Sequence, residues 1–252
     1  MHELAFSING TIGRFVEWSG MGCVDHDLLF DFGGCRMVPS QSRSRRTIPA
    51  KGESTRTRVI ETAVKDLSRY GLSGVTIGRV AEGSGLSKSG MFAHFRSKEA
   101  LEIAVIDEAA RLAGDAVMAA AAGSEPGIPR LRSMIEHWFG WPARAGLPGG
   151  CPIAAAVFEL DDTAGPVRDR VAMLEQRWRE VFVAETRTAI DLRQMSQDSD
   201  AEQFVWELFG IYLAHHAATR FSADPKAAIR ASIAVEALID RMQVQRRCEV
   251  RS

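Results

Sequence analysis

The stretch Thr76-Ile-Gly-Arg-Val-Ala-Glu-Gly-Ser-Gly-Leu-Ser-Lys-Ser-Gly-Met-Phe-Ala-His-Phe-Arg-Ser-Lys-Glu-Ala-Leu101 decides the fold. It holds three helix starts in close succession. Thr76, Ser87 and Ser97 each have a short side-chain oxygen that can accept a free amide of a first helical turn. Thr76 opens a short helix through Ile77, Val80 and Ala81, which Gly83-Ser84-Gly85 is expected to interrupt. Ser87 caps a second short helix, Lys88 to His94. Ser97 caps a longer one that runs through Ala100, Leu101, Ala104 and Val105. Two short helices around a glycine-containing turn predict a helix-turn-helix.

Upstream, Val59, Ile60, Ala63, Val64 and Leu67 recur at helical spacing and form one buried face. Ser54 or Thr55 is expected to cap this first helix. Gly71 follows Tyr70, where a left-handed helix end is expected. The helix-turn-helix unit is therefore read over 51–97.

Charge separates this unit from the rest. Residues 41–100 hold twelve Lys and Arg against five Asp and Glu, a balance of +7, whereas residues 101–252 hold seventeen against twenty-two, a balance of −5. A basic block on an acidic body suits a module that binds a polyanion. The first forty residues read differently, with Gly10, Gly13, Gly20, Gly22, Gly33 and Gly34 and no helical period. The natural start is expected at Met37, leaving 1–36 as an untranslated or tail segment. Residues 1–50 are thus read as an extension ending in a basic arm with Arg43, Arg45 and Arg46, continued by Lys51.

The body, 98–252, also reads as all-helical. Helices are predicted over roughly 98–122, 128–140, 151–160, 166–195, 201–221 and 225–246, with Gly or Pro at each break. Pro166 and Pro225 stand where a first-turn amide would be free anyway. No apolar run is long enough to span a membrane, and no signal peptide pattern opens the chain. Cys23, Cys35, Cys151 and Cys248 are scattered without a paired spacing, so no disulfide framework or zinc site is expected. A cytoplasmic location and no cofactor are expected.

DNA recognition by a helix-turn-helix needs a short helix in the major groove, side chains near its start to reach base edges, and helix ends that meet phosphates. Ile77, Val80, Ala81, Leu86, Met91 and Phe95 supply a small core for that helix pair. Ser87, Lys88, Ser89 and Gly90 open the recognition helix. Thr76 and Lys98 stand at helix starts beside it.

The quoted stretch closely resembles the DNA-binding segment of the TetR (tetracycline repressor) family. The resemblance lies in Thr76 at a helix start, Val80-Ala81, Gly85-Leu86-Ser87 at the turn, the His94-Phe95 ending and Ser97-Lys98-Glu99 with Leu101. Thr57-Arg58-Val59-Ile60 and Ala63 of the first helix are similar too. The resemblance implies an all-α homodimer with an N-terminal three-helix DNA-binding domain and a C-terminal effector-binding and dimerisation domain. It places Thr76, Ser87, Lys88, Ser89, Gly90, Phe92, His94 and Lys98 at DNA contacts. The family commonly has Tyr where Phe92 stands, and Phe92 lacks the hydroxyl that meets a phosphate. Packing alone is one reading of it. For His94, phosphate contact and simple packing both stay open.

The resemblance further implies repression of a palindromic operator on double-stranded DNA, with release by a small-molecule effector. A ligand-independent regulator, or an activator acting through a protein partner, is the alternative. Enzymatic function is not expected, because no nucleophile elbow, phosphate loop, dinucleotide loop or HExxH pattern occurs. Trp138, Phe139, Phe158, Trp178, Phe182 and Phe209 are the candidate effector-pocket aromatics, although aromatics at helical spacing also serve as plain core. Phe204, Leu208, Ile211 and Tyr212, with Ile229, Ile233, Ala237 and Leu238, are the candidate dimer stripes. His215-His216 is read as structural, since neighbours in a helix point to different faces.

Overall fold

The computed structural model describes residues 51–243. The segment before Met37, the arginines of the basic arm and the chain beyond Gln243 lie outside the described residues. The described chain consists of ten α-helices and one 3-10 turn, with no strand among the described residues. In order they are α1 (Lys51–Tyr70), the 3-10 turn (Leu72–Gly74), α2 (Ile77–Ser84), α3 (Lys88–His94), α4 (Lys98–Ala121), α5 (Ile128–Phe139), α6 (Trp141–Arg144), α7 (Pro152–Glu159), α8 (Pro166–Asp191), α9 (Ala201–Arg220) and α10 (Ala227–Gln243).

Local chemistry explains the first four helices. The stripe Val59, Ile60, Ala63, Val64 and Leu67 is buried and turns α1 inward. Thr76 accepts the amide of Arg79 at 3.2 Å, Ser87 that of Gly90 at 3.1 Å and Ser97 that of Ala100 at 3.0 Å. Each bond satisfies an amide that has no partner within its helix. Between α2 and α3 the chain reverses at Gly85, whose φ of 68° is open to glycine without a Cβ penalty. The Leu86 amide then donates back to Ala81 at 2.9 Å and closes the turn.

The long helix α4 is the spine. It packs on α1 at one end and on α5, α7 and α8 along its length. Leu101, Val105, Ile106, Ala109 and Val117 line its buried side. The helices α9 and α10 form a close antiparallel pair, and α9 also lies against α8.

Several boundaries differ from the sequence expectation: α1 already starts at Lys51, so Ser54 and Thr55 lie inside it rather than at its cap, and α10 starts at Ala227, after Pro225 rather than at it. The helix α2 does not stop at Gly83 but runs through Ser84, whose buried hydroxyl donates to the Val80 carbonyl at 2.6 Å. The segment Pro142 to Gly150, read as a break, contains the short helix α6, held in place by the fully buried Trp141. The helix α8 ends at Asp191 rather than 195, because the chain turns there to let Gln194 cap α5. Gln194 accepts the Ile128 amide at 2.6 Å and donates to the Pro126 carbonyl at 3.2 Å.

The dimer stripes also divide differently. Phe204, Leu208, Tyr212 and Leu238 are buried within the chain. The apolar residues left outside are Trp206 on α9 and Ile229 and Ile233 on α10, exposed by 66%, 60% and 64%. The intrachain core claims one side of each helix, so the outward residues are the ones offset from it by half a turn.

Candidate nucleic-acid interface

The helix α3 is seven residues long and is anchored on one side only. Met91 and Phe95 are fully buried, and Ile77 and Leu86 close over them. The other side presents Ser87, Lys88, Ser89, Phe92 and Ala93 to solvent, followed by Arg96. Gly90 and His94 are half-buried between the two sides. The hydroxyls of Ser87 and Ser89 lie 3.0 Å apart, so the cap of α3 and a surface hydroxyl form one polar pair. The stem of Lys88 passes over α2, where Gly78 leaves room: its Cε lies 3.7 Å from the place a Cβ on Gly78 would occupy.

Thr76 is exposed at the start of α2 and Lys98 at the start of α4, so the structure brings both to helix ends near α3. Lys98 is paired with Glu102 one turn on, at 2.7 Å. Any anion that approached Lys98 would compete with this surface ion pair, worth ~0.3–0.5 kcal/mol. Three arginines around this face escaped the sequence reading. Arg56 lies over the Phe95 ring at 5.1 Å and Arg79 over the Tyr70 ring at 4.3 Å, while Arg96 is exposed. Burial raises the Asp66 carboxyl above its ordinary range, and Arg79 and Arg69 partly offset that effect. No residue spacing marks Arg56 or Arg79, because their ring contacts join separate helical segments.

The first three helices are tied to the body at two places. Ser68 near the end of α1 donates its hydroxyl to the Gly150 carbonyl at 2.9 Å and accepts the Gly149 amide at 3.1 Å. The Gly150 amide donates in turn to the Ser68 carbonyl at 3.1 Å. A Cβ at Gly149 would overlap that carbonyl, so only glycine permits the approach. The second tie is Glu159 at the end of α7. Its carboxylate accepts the amides of Leu72 and Ser73, at 3.1 and 3.2 Å, in the turn that joins α1 to α2. Beside it a cleft of about 320 Å3 opens between that turn, the start of α4 and the start of α8.

The aromatic residues of the body divide. Trp138 stacks on Tyr212 with ring centroids 3.9 Å apart, and Phe209, Phe182, Phe139 and Trp178 surround it at 4.6 to 6.2 Å. Burial, and then the neighbouring Cys151, hold the Tyr212 phenol well above its ordinary value. Phe158 stands apart from this group. It lies on the exposed side of α7, whose inner side is filled by Pro152, Ala154 and Ala156. His215 and His216 do separate. His215 lies 5.3 Å from the Phe139 ring, while His216 packs by Gly150 and Arg220.

Two family models match the chain. "Bacterial regulatory proteins, tetR family" covers residues 59–105, and "Tetracyclin repressor-like, C-terminal domain" covers residues 127–235. No curated protein matches it significantly by sequence. Among solved structures, a TetR-family transcriptional regulator from Cytophaga hutchinsonii superposes with a TM-score of 0.69 at 20% identity, covering 78% of this chain and 98% of that one. A TetR transcriptional regulator from Chloroflexus aurantiacus gives 0.69 at 26% identity, covering 77% and 96%. A regulator from Saccharomonospora viridis, in complex with choline, gives 0.62 at 20% identity, covering 75% and 96%.

Proposed function

We propose, from the premise that this chain belongs to the tetR family of bacterial transcriptional regulators and is a DNA-binding regulator, that it is a homodimeric repressor released from a palindromic operator by a small molecule. Residues 51–97 are the DNA-binding domain in this reading, and 98–252 the effector-binding and dimerisation domain. Lys88 and Ser89 reach base edges. Thr76, His94 and Lys98 meet phosphates, as do the amides around Ser87 and Gly90. The exposed Trp206, Ile229 and Ile233 meet their symmetry mates, which sets two recognition helices on two half-sites.

The observation that carries the release step is the double tie between α1 and the body. Ser68 is bound by the α6–α7 connection and the turn after α1 by Glu159. A body that changes shape around a ligand moves α7 and the connection that leads into it; Glu159 of α7 holds one tie, and Gly149 and Gly150 of that connection hold the other. The aromatic group around Trp138, adjoining Cys151 at the start of α7 through Tyr212, is the proposed effector region. Phe158 lies outside it.

The test is selection of bound duplexes from a random pool, followed by a reporter carrying the selected site across its promoter. A palindrome bound by two chains and lower transcription are expected. Lys98→Ala should weaken binding to all duplexes and reduce the salt slope by about one unit, whereas Lys88→Ala should change the preferred bases. A panel of metabolites is then titrated against the complex, and at least one should release the DNA. Increased transcription, or one chain per site, overturns the repressor reading. A complex insensitive to every compound overturns the release step.

A further inference from the structure

The sequence leaves Phe92 open to a packing role, and the structure removes that role. Phe92 is 56% exposed, while Met91 and Phe95 beside it already close the core under α3. It stands one turn after Lys88 and Ser89 on the same outward side and next to the exposed Ala93. A phenyl ring has no donor or acceptor, so it cannot hold a phosphate by a hydrogen bond. An exposed aromatic ring in the middle of a polar and cationic recognition surface needs an apolar partner. The major groove offers one such group, the C5-methyl of thymine; the other base edges there are donors and acceptors that a ring would leave unpaired.

We propose that Phe92 is a specificity-determining residue that reads a thymine methyl in each half-site, with the small Ala93 letting the α3 backbone approach the same base step. The inference rests on the DNA-recognition reading above and adds the base chemistry that this chain's own side chains select. Phe92 contributes contact area, Lys88 and Ser89 contribute polar contacts, and Lys98 contributes charge. The three kinds of contact therefore have separable signatures.

The experiment uses the full chain and the duplexes it selects. Each thymine of the site is replaced in turn by deoxyuridine, which removes the methyl and leaves every hydrogen-bonding group in place. At one thymine per half-site, affinity should fall about 4-fold, and about 15-fold when both half-sites are changed, from the loss of one buried methyl each. Phe92→Ala should bind the thymine and deoxyuridine duplexes equally, and Phe92→Leu should restore part of the difference. Lys98→Ala, which lowers affinity through charge, should keep the full difference. Phe92→Ala should melt at the wild-type temperature. Wild-type affinities that stay within 2-fold for every deoxyuridine duplex overturn the proposal. So does a Phe92→Ala chain that retains the methyl sensitivity. A pool with no enriched sequence overturns the DNA-recognition reading and this proposal with it, an outcome distinct from selection without methyl sensitivity.

Discussion

The carboxylate of Glu159 accepts the backbone amide of Leu72 at 3.1 Å, across 87 residues of sequence. The same carboxylate accepts Ser73, so a side chain of the body completes the turn between α1 and α2. Glu159→Ala should cost about 1 kcal/mol of stability, the scale of a charge-assisted pair at a partly exposed site. Amide exchange at Leu72 and Ser73 should accelerate while the amides of Leu101 and Val105 stay protected. Unchanged exchange at both would show that the turn holds itself.

Gly149 and Ser68 make the other tie, and here backbone shape is decisive. Gly149→Ala places a methyl group against the Ser68 carbonyl. A loss of about 1–3 kcal/mol is expected, as for other forced overlaps. Ser68→Ala removes the two hydroxyl bonds and should cost about 1–2 kcal/mol. The double variant should fall short of the sum, because both changes break one contact. Urea denaturation of the four chains measures this, and strict additivity would contradict the shared contact.

Trp138 sits at the centre of five aromatic neighbours. Trp138→Ala should destabilise by about 3–5 kcal/mol. Phe158→Ala, on the exposed side of α7, should stay within about 0.5 kcal/mol of wild type. Comparable losses for the two would mean that Phe158 belongs to the packed group.

His216 supplies a pH dependence. Burial lowers its pKa from the ordinary 6.5, and Arg220 and His215 lower it further. The unfolded chain therefore binds a proton at a higher pH than the folded chain. The sign follows from linkage: stability is fullest above about pH 6.5 and falls as pH drops through the window below it. His216→Gln should flatten the melting temperature over that window relative to wild type. Parallel profiles for the two chains would remove His216 as the cause.

Ile233 and Trp206 present apolar surface on the outer sides of α10 and α9. Ile233→Glu, alone or with Trp206→Glu, should shift sedimentation from dimer to monomer at micromolar concentration, since a charge buried in an apolar contact is costly. Helicity should be retained, because neither side chain supports the intrachain core. A variant that remains dimeric would place the contact elsewhere.

The helix starts at Thr76, Ser87 and Ser97 and the buried face of α1 were legible because their causes are local, whereas α1 begins at Lys51, ahead of the expected cap at Ser54 or Thr55. Thr76, Ser87 and Ser97 cap within three residues, and the stripe from Val59 to Leu67 repeats every turn. The basic block and the acidic body were equally open to counting. Tertiary structure alone decided the rest. No period in the chain joins Ser68 to Gly150 or Glu159 to Leu72, since those bonds exist only when α7 lies against α1. Nor does a helical stripe say which neighbour covers it: Leu238 and Ile233 are both apolar on α10, and packing against α9 buried one and left the other outside. Phe92 is the sharpest case. Its residue type suggests an interior, and only the closure of Met91 and Phe95 beneath α3 turned it to the surface.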